Sequence, residues 1–232
     1  DSPADGKIRA YAVFAHCFTC SKELKSIVNI NKSLTDLGYA VLRFDMTGIG
    51  GSEGYFPDTN FTTQIEDFLS VAAYLAKNHK PAKLLIGHSL GGSAALFSAM
   101  KLPHSRAVVT IASPAELAYL AHKLKNTKAR AKKENTAETE IGGMKFKFKP
   151  QFFNDIETYS LKDKLPKLNK AYLIMHSTAD TYSDISNAEE LFNNAAEPKS
   201  FISLDDIDHL MLKKKDAEYV GRLIGTWAEK YM

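Results

Sequence analysis

Short apolar runs alternate with longer amphipathic stretches along most of the chain. The apolar runs are rich in Val, Ile, Leu and Ala, which is typical of strands buried on both faces. They cover residues 9–16, 39–44, 83–86, 107–112, 171–175 and 200–204. The amphipathic stretches, which predict helices, cover residues 21–37, 61–78, 91–100 and 214–231, and a further helix is expected to begin at Ser186. Strands that alternate with helices predict an α/β fold with a mostly parallel sheet and helices on both of its faces.

The alternation is interrupted once, between residues 113 and 168. This insertion contains a basic, helix-like piece at 116–133, a polar stretch around 135–140, and a segment at 142–149 in which Lys and Phe alternate as in a half-buried hairpin strand. Its place after a strand end predicts a cap over the functional site. We therefore expect a single domain over residues 1–232 with a cap insertion at about 113–168. Residues 123–149 include nine Lys or Arg and only three Glu. This excess of positive charge indicates either a solvated face or a surface for an anionic partner.

Residues 87–91 read Gly-His-Ser-Leu-Gly and join a predicted strand directly to a predicted helix. Such a G-x-S-x-G turn lifts the serine hydroxyl out of a strained backbone, and the glycines leave room for it. A phosphate-binding turn is the competing interpretation, but neither the Lys-Ser/Thr pair of a P-loop nor a G-x-G-x-x-G motif is present. Ser89 is therefore the candidate nucleophile.

A serine nucleophile needs a base, and the base needs an acid to orient it. Among seven histidines, His209 follows the last predicted strand on a loop that should return to the edge of the sheet. His16 and His88 also flank this edge but favour structural roles, and His176 lies too close to a strand end to be the first choice as base. Asp180 follows the strand at 171–175, and Asp184 on the same loop is the alternative acid.

An oxyanion hole requires two N–H donors. Leu90 follows the nucleophile and supplies one, and the loop after the first strand is placed to supply the other through Phe18. The order Ser89, Asp180, His209 is that of α/β-hydrolases.

Several segments resemble one group of α/β-hydrolases, those often fused to an osmotically induced (OsmC-type) peroxide-reducing domain. The resemblance runs through nearly the whole chain and rests on residues 14–22 (FAHCFTCSK), 43–45 (RFD), 48–54 (GIGGSEG), 141–143 (IGG), 201–205 (FISLD) and 208–210 (DHL). It implies hydrolysis of esters with short acyl chains. Cys17 stands where the loops of related esterases have Gly, although His-Cys-Phe is similar to this particular group.

The resemblance also sets expectations at both ends of the chain. No sequence follows Met232 that could form the fused domain, so we do not expect peroxidase activity. Such hydrolases usually begin with two antiparallel strands, and the residues before Arg9 are too few to supply both.

Composition narrows the function without identifying a substrate. The 232 residues are 44% hydrophobic and 25% charged with a net charge of +3, which gives no argument for nucleic acid or a membrane as a partner. No apolar run has the length of a membrane span, and no signal peptide is visible. Cys17 and Cys20 are the only cysteines and are expected to be reduced, structural thiols, with a redox pair as the alternative. So few cysteines indicate a cytoplasmic protein.

The sequence thus predicts a serine carboxylester hydrolase that needs no metal or cofactor and acts on a small-molecule ester. Four cap residues, Phe146, Phe148, Phe152 and Phe153, are expected to include walls of the acyl pocket, with plain packing as the alternative. A thioesterase, acyltransferase or peptidase would use the same three side chains, and a scaffold kept as a binding module would lack them. A homo-oligomer is compatible with the sequence.

Overall fold

Six parallel strands form the central sheet of the computed structural model, which describes residues 1–232. The eight strands of the chain are β1 (Ala10–Ala15), β2 (Tyr39–Phe44), β3 (Leu84–His88), β4 (Ala107–Ile111), β5 (Ala137–Ile141), β6 (Met144–Phe148), β7 (Ala171–His176) and β8 (Lys199–Ser203). The order in the sheet is β2-β1-β3-β4-β7-β8, and every neighbouring pair is parallel. The parallel sheet predicted from the alternation of strands and helices is confirmed.

Helices cover both faces of this sheet. They are α1 (Lys25–Asp36), α2 (Phe61–Asn78), α3 (Leu90–Ala99), α4 (Ala118–Lys123), α5 (Lys125–Glu134), α6 (Pro150–Ile156), α7 (Ser186–Asn194) and α8 (Lys214–Ala228). Apolar residues of α1 and α8 share one core with one face of the sheet, while α2, α3, α7 and the insertion share the other. Within β7, Tyr172 and Ile174 enter the second core and Leu173 and Met175 the first, as the two-residue period of a strand requires.

The first helix begins later than the sequence pattern predicts. Lys22 lies outside α1 because the carboxylate of Asp45 accepts hydrogen bonds from its backbone N–H at 2.7 Å and from its Nζ at 2.6 Å. These contacts hold the chain in a turn after β1. The helix then starts at Lys25 instead of residue 21.

The insertion is more finely divided than the sequence indicates. The stretch expected as one helix at 116–133 forms α4 and α5, which are separated at Leu124. The polar stretch near residues 135–140 contributes β5, which pairs antiparallel with β6. Gly142 and Gly143 form the two-residue turn between them with φ of 59° and 79°, values that suit glycine.

The parallel register brings the loops of interest to one edge of the sheet. Ala15 at the end of β1 lies beside Gly87 of β3, and His88 lies beside Ile111 of β4. Met175 of β7 follows on the other side of Ile111.

None of the helices has the length and apolarity needed to cross a membrane.

Candidate active site

Ser89 occupies the tight turn between β3 and α3. Its φ of 54° and ψ of −125° are rare for a residue with a side chain. The turn closes because Gly87 and Gly92 lack a Cβ: one at Gly87 would collide with the Gly91 carbonyl, and one at Gly92 with the Ser113 hydroxyl. A hydrogen bond from the Ser89 N–H to the Ile111 carbonyl, 2.8 Å, fixes the turn to β4. The half-buried serine is thus held in a strained conformation by contacts on several sides.

Ser113 adds a contact that sequence reasoning did not find. Its hydroxyl donates to the carbonyl oxygen of Ser89 at 2.9 Å, from the end of β4. The only signal in the sequence is a serine directly after a predicted strand, which is too common to be informative.

Asp180 and His209 are brought together from two separate loops. His209 Nδ1 lies 2.7 Å from Asp180 Oδ2, with the histidine side chain 9% exposed and the carboxylate fully buried. An ionised carboxylate only accepts, so Nδ1 carries the hydrogen and Nε2 keeps a free lone pair. An imidazole in this tautomer is oriented to receive a proton at Nε2.

Asp180 is held in its ionised form. Burial alone would raise the pKa of its carboxyl group. The hydrogen bond and charge of His209 lower this pKa, and so do the hydrogen bonds from the backbone N–H groups of Ser183 and Tyr182. Those two N–H groups lie 2.9 and 2.8 Å from Asp180 Oδ1. Together they hold the pKa of Asp180 below its ordinary value.

Asp184 lies apart from this pair. Its exposed carboxylate accepts from the backbone N–H of Ser186 at 2.8 Å, at the first residue of α7. Hydrogen bonds from Ser186, first from its hydroxyl and then from its backbone N–H, are what chiefly lower the pKa of Asp184, and not a histidine. The helix begins at Ser186 as expected from the sequence, and Asp184 accepts a hydrogen bond at its N-terminus.

The two candidate oxyanion donors lie on neighbouring segments. Gly91 packs so closely on the end of β1 that an added Cβ would collide with the carbonyl oxygens of Ala15 and His16. The start of α3 therefore rests on the loop that carries Phe18. The Phe18 N–H has no acceptor in the protein, and Leu90 is the first residue of α3, where N–H groups lack an intrahelical acceptor.

Three further histidines are buried at this edge, and each is engaged with backbone. His16 Nδ1 donates to the Cys17 carbonyl at 2.7 Å, and its Nε2 accepts from the Met46 N–H at 3.1 Å. His88 and His176 each place Nε2 2.8 Å from a carbonyl oxygen, those of His209 and Ser183 respectively. None of the three is hydrogen-bonded to a carboxylate as His209 is.

Cys17 and Cys20 form a disulfide, so the expectation of reduced thiols is wrong. The backbone turns back on itself here, because the Cys20 N–H donates to the Cys17 carbonyl at 3.1 Å. This turn leaves the two Cα atoms 5.3 Å apart, within the range that a disulfide spans. Since the thiols are paired, the cysteines no longer give an argument for a reducing compartment.

An aromatic cluster lies over the loop that carries Phe18. The Phe18 ring stacks on that of Phe152 at 5.5 Å between centroids and lies 6.0 Å from that of Phe148. Phe153 packs behind these two and is fully buried, whereas Phe146 at the hairpin is half exposed. Phe146 joins them through Phe56, whose ring centroid lies 5.1 Å from that of Phe146 and 5.5 Å from that of Phe148. The four phenylalanines named from the sequence thus belong to one cluster that adjoins the candidate oxyanion donor.

Comparison with known proteins points to one family. A model of the alpha/beta hydrolase family matches residues 12–184. The esterase domain of a Rhodothermus marinus protein is similar over all of this chain and 91% of its own, with 40% identity and a TM-score of 0.79.

Two curated relatives match shorter stretches. The uncharacterized protein RP471 of Rickettsia prowazekii (strain Madrid E) is 33% identical over 39% of this chain, and the mitochondrial palmitoyl-protein thioesterase ABHD10 of Rattus norvegicus is 32% identical over 38% of it. These matches span 38% and 29% of the length of the two relatives.

Proposed function

The chain belongs to the alpha/beta hydrolase family, and from that premise we propose that it is a serine hydrolase of small carboxylic esters, with Ser89, His209 and Asp180 as its catalytic residues. The observation that carries the proposal is the 2.7 Å contact between His209 Nδ1 and Asp180 Oδ2 at the same sheet edge as the strained Ser89. The similarity to an esterase domain supports the same reaction class.

The proposed reaction begins with a proton transfer. His209 Nε2 takes the Ser89 hydroxyl proton as the serine oxygen attacks the acyl carbon. Asp180 stabilises the imidazolium that forms, since its carboxylate is buried, ionised and hydrogen-bonded to Nδ1. The backbone N–H groups of Phe18 and Leu90 stabilise the oxyanion.

His209 gives its proton to the departing alcohol as the acyl-enzyme forms. It then takes a proton from the water molecule that attacks the acyl-enzyme and returns that proton to the Ser89 oxygen as the acid leaves, so that the protein ends unchanged. No metal or cofactor takes part in this scheme.

The aromatic cluster forms the wall of the acyl pocket under the cap, and we propose short acyl chains as the preferred substrates.

A fluorophosphonate probe tests the nucleophile directly. The wild-type protein should be labelled at Ser89, and Ser89→Ala should be unlabelled and inactive while its circular dichroism spectrum is unchanged. His209→Ala should lose a comparable share of activity, because the two side chains act as a unit. Labelling at another residue, or ester hydrolysis by Ser89→Ala within tenfold of wild type, would refute the assignment.

Thioester hydrolysis is the second candidate, favoured by the similarity to a palmitoyl-protein thioesterase. Matched esters and thioesters of the same acyl chains, run beside Ser89→Ala, separate the two. A higher kcat/KM for oxygen esters of short acids supports the esterase. A preference for long-chain thioesters supports the second candidate.

A further inference from the structure

Two fully buried histidines lie at the ends of the two strands that flank β4, which are β3 and β7. His88 is the last residue of β3, directly before Ser89, and His176 is the last residue of β7, four residues before Asp180. The proposed proton transfers use neither of them. Both are close to the loops that carry the candidate base and acid.

Each of these imidazoles makes one hydrogen bond, and each bond goes to a loop carbonyl. His88 Nε2 lies 2.8 Å from the carbonyl oxygen of His209, and the two rings lie 5.0 Å apart between centroids. His176 Nε2 lies 2.8 Å from the carbonyl oxygen of Ser183. Because a carbonyl only accepts, both imidazoles carry their hydrogen on Nε2.

The other ring nitrogen of each histidine is a buried acceptor with no partner in the protein. Burial lowers the pKa of His88 to about 3 and also lowers that of His176, so both rings are neutral at physiological pH. A purely apolar side chain would fill the same space without the cost of an unpaired acceptor. What each imidazole adds is a single N–H aimed at one carbonyl.

The Nε2–H of His88 makes the one hydrogen bond between the sheet and residues 205–212, while Ile207 and Met211 attach the same loop through the apolar core. Apart from the contact with Asp180, every other hydrogen bond of residues 205–212 stays within the stretch 203–212. On the loop that carries Asp180, the carbonyl of Ser183 accepts the hydrogen bond from His176. The N–H of Ser183 also donates to Asp180 Oδ1 at 2.9 Å. The two contacts therefore act at either end of the His209–Asp180 pair.

We propose that His88 and His176 are positioning residues, which fix the loops of His209 and Asp180 relative to the sheet through their Nε2–H groups. His88 sets the place of the base, and His176 sets the place of the acid through Ser183 and through its own Nε2, which lies 3.7 Å from Asp180 Oδ2. This inference rests on the proposed hydrolase function, in which both loops must stay in register with Ser89. Displacing a catalytic group by about 1 Å is enough to slow a reaction on the order of a hundredfold.

Paired substitutions to Gln and Asn test the role of the Nε2–H. The amide nitrogen of Gln is as many bonds from Cα as the imidazole Nε2, whereas that of Asn is one bond closer. His88→Asn and His176→Asn should lose about tenfold to a hundredfold in kcat and in the rate of fluorophosphonate labelling, with KM nearly unchanged. His88→Gln and His176→Gln should recover most of that loss.

Tyr39→Phe is the matched control. It removes another buried hydrogen bond from a side chain to a carbonyl, the 2.8 Å contact of Tyr39 with Gly225 on the α8 side of the sheet. It should lower the unfolding temperature but leave kcat unchanged. Equal kcat in the Gln and Asn variants, or a loss confined to KM, would overturn the proposal.

Two further readouts keep the outcomes separate. If an Asn variant does not fold, the tautomer decides, since nitrogen NMR of the wild-type protein must show both rings protonated at Nε2. Protonation at Nδ1 overturns the proposal. Failure of wild-type protein to react at Ser89 with the fluorophosphonate would instead reject the hydrolase function, whatever the tautomers are.

Discussion

At the scale of single residues, the two carboxylates after β7 differ in what they contact. Asp180 is buried against His209 and accepts two backbone N–H groups, whereas Asp184 is exposed and accepts the N–H that opens α7. They are four positions apart, so sequence position alone favours neither strongly. Their surroundings assign different roles to the same side chain.

Replacement of each carboxylate by Asn should separate these roles. Asp180→Asn keeps the shape but favours the wrong imidazole tautomer, and in serine proteases the corresponding change costs about 10⁴ in turnover. We expect a loss of that kind in kcat for ester hydrolysis, with KM changing little. Asp184→Asn is the control and should remain near wild type. An exchange of these two phenotypes would make Asp184 the acid.

At the scale of elements, the close contact between α3 and the end of β1 sets the candidate oxyanion site. Gly91→Ala adds a methyl group that collides with the carbonyls of Ala15 and His16, so the Leu90 and Phe18 segments must separate. We expect kcat to fall on the order of a hundredfold, although Ala is otherwise the better helix former. Kinetics and thermal unfolding measure both effects.

Gly51→Ala is the control for that substitution. A Cβ at Gly51 meets its nearest neighbours at 3.7 Å, an ordinary contact, so kcat and the unfolding temperature should stay near wild type. If Gly91→Ala is as active as Gly51→Ala, the two N–H groups do not form an oxyanion hole.

The hairpin of β5 and β6 and the following helix α6 carry the aromatic cluster, and two of its members are suited to different tests. Phe146 is half exposed and touches Phe56, 5.1 Å between ring centroids, whereas Phe153 is fully buried. Phe146→Ala should shift the acyl-length profile toward longer chains, because it widens the proposed pocket. Phe153→Ala should chiefly cost stability, about 3 to 5 kcal/mol. Unchanged acyl-length profiles in both variants would leave the cluster with a packing role alone.

At the scale of the whole molecule, buried neutral histidines make stability depend on pH. Burial lowers the folded-state pKa values of His16, His88 and His176 below 6.5, so below that pH the unfolded chain binds protons that the folded protein does not. The stability from these groups is complete above pH 6.5 and is lost as the pH falls, for His88 until about pH 3. Each fully neutral histidine contributes a slope of about 1.4 kcal/mol per pH unit in this window.

Urea unfolding between pH 8 and 4.5 measures this slope. The free energy of unfolding should be nearly constant above pH 7 and should fall below pH 6.5. His88→Gln removes one of the titrating groups and should make the slope shallower by about 1.4 kcal/mol per pH unit. A wild-type profile that stays flat down to pH 5 would contradict neutral burial of these rings.

Local patterns in the sequence were sufficient for the fold class and for the strand, turn and helix around Ser89. Period-two and period-3.6 patterns report which face of an element is buried, and glycine spacing reports a tight turn. The same reasoning placed Asp180 and His209 after strands whose ends share one edge, and the structure brings these two side chains together.

Contacts between segments far apart in sequence were decided only by the tertiary structure. The pairing of Lys22 with Asp45 shortens α1, and His88 meets the carbonyl of a residue 121 positions away. The Cys17–Cys20 disulfide spans only three positions, but it requires a turn of the backbone. The two residues between the cysteines do not predict that turn. The first two of these contacts depend on the distance between two backbones after the sheet has assembled, and no local periodicity encodes that distance.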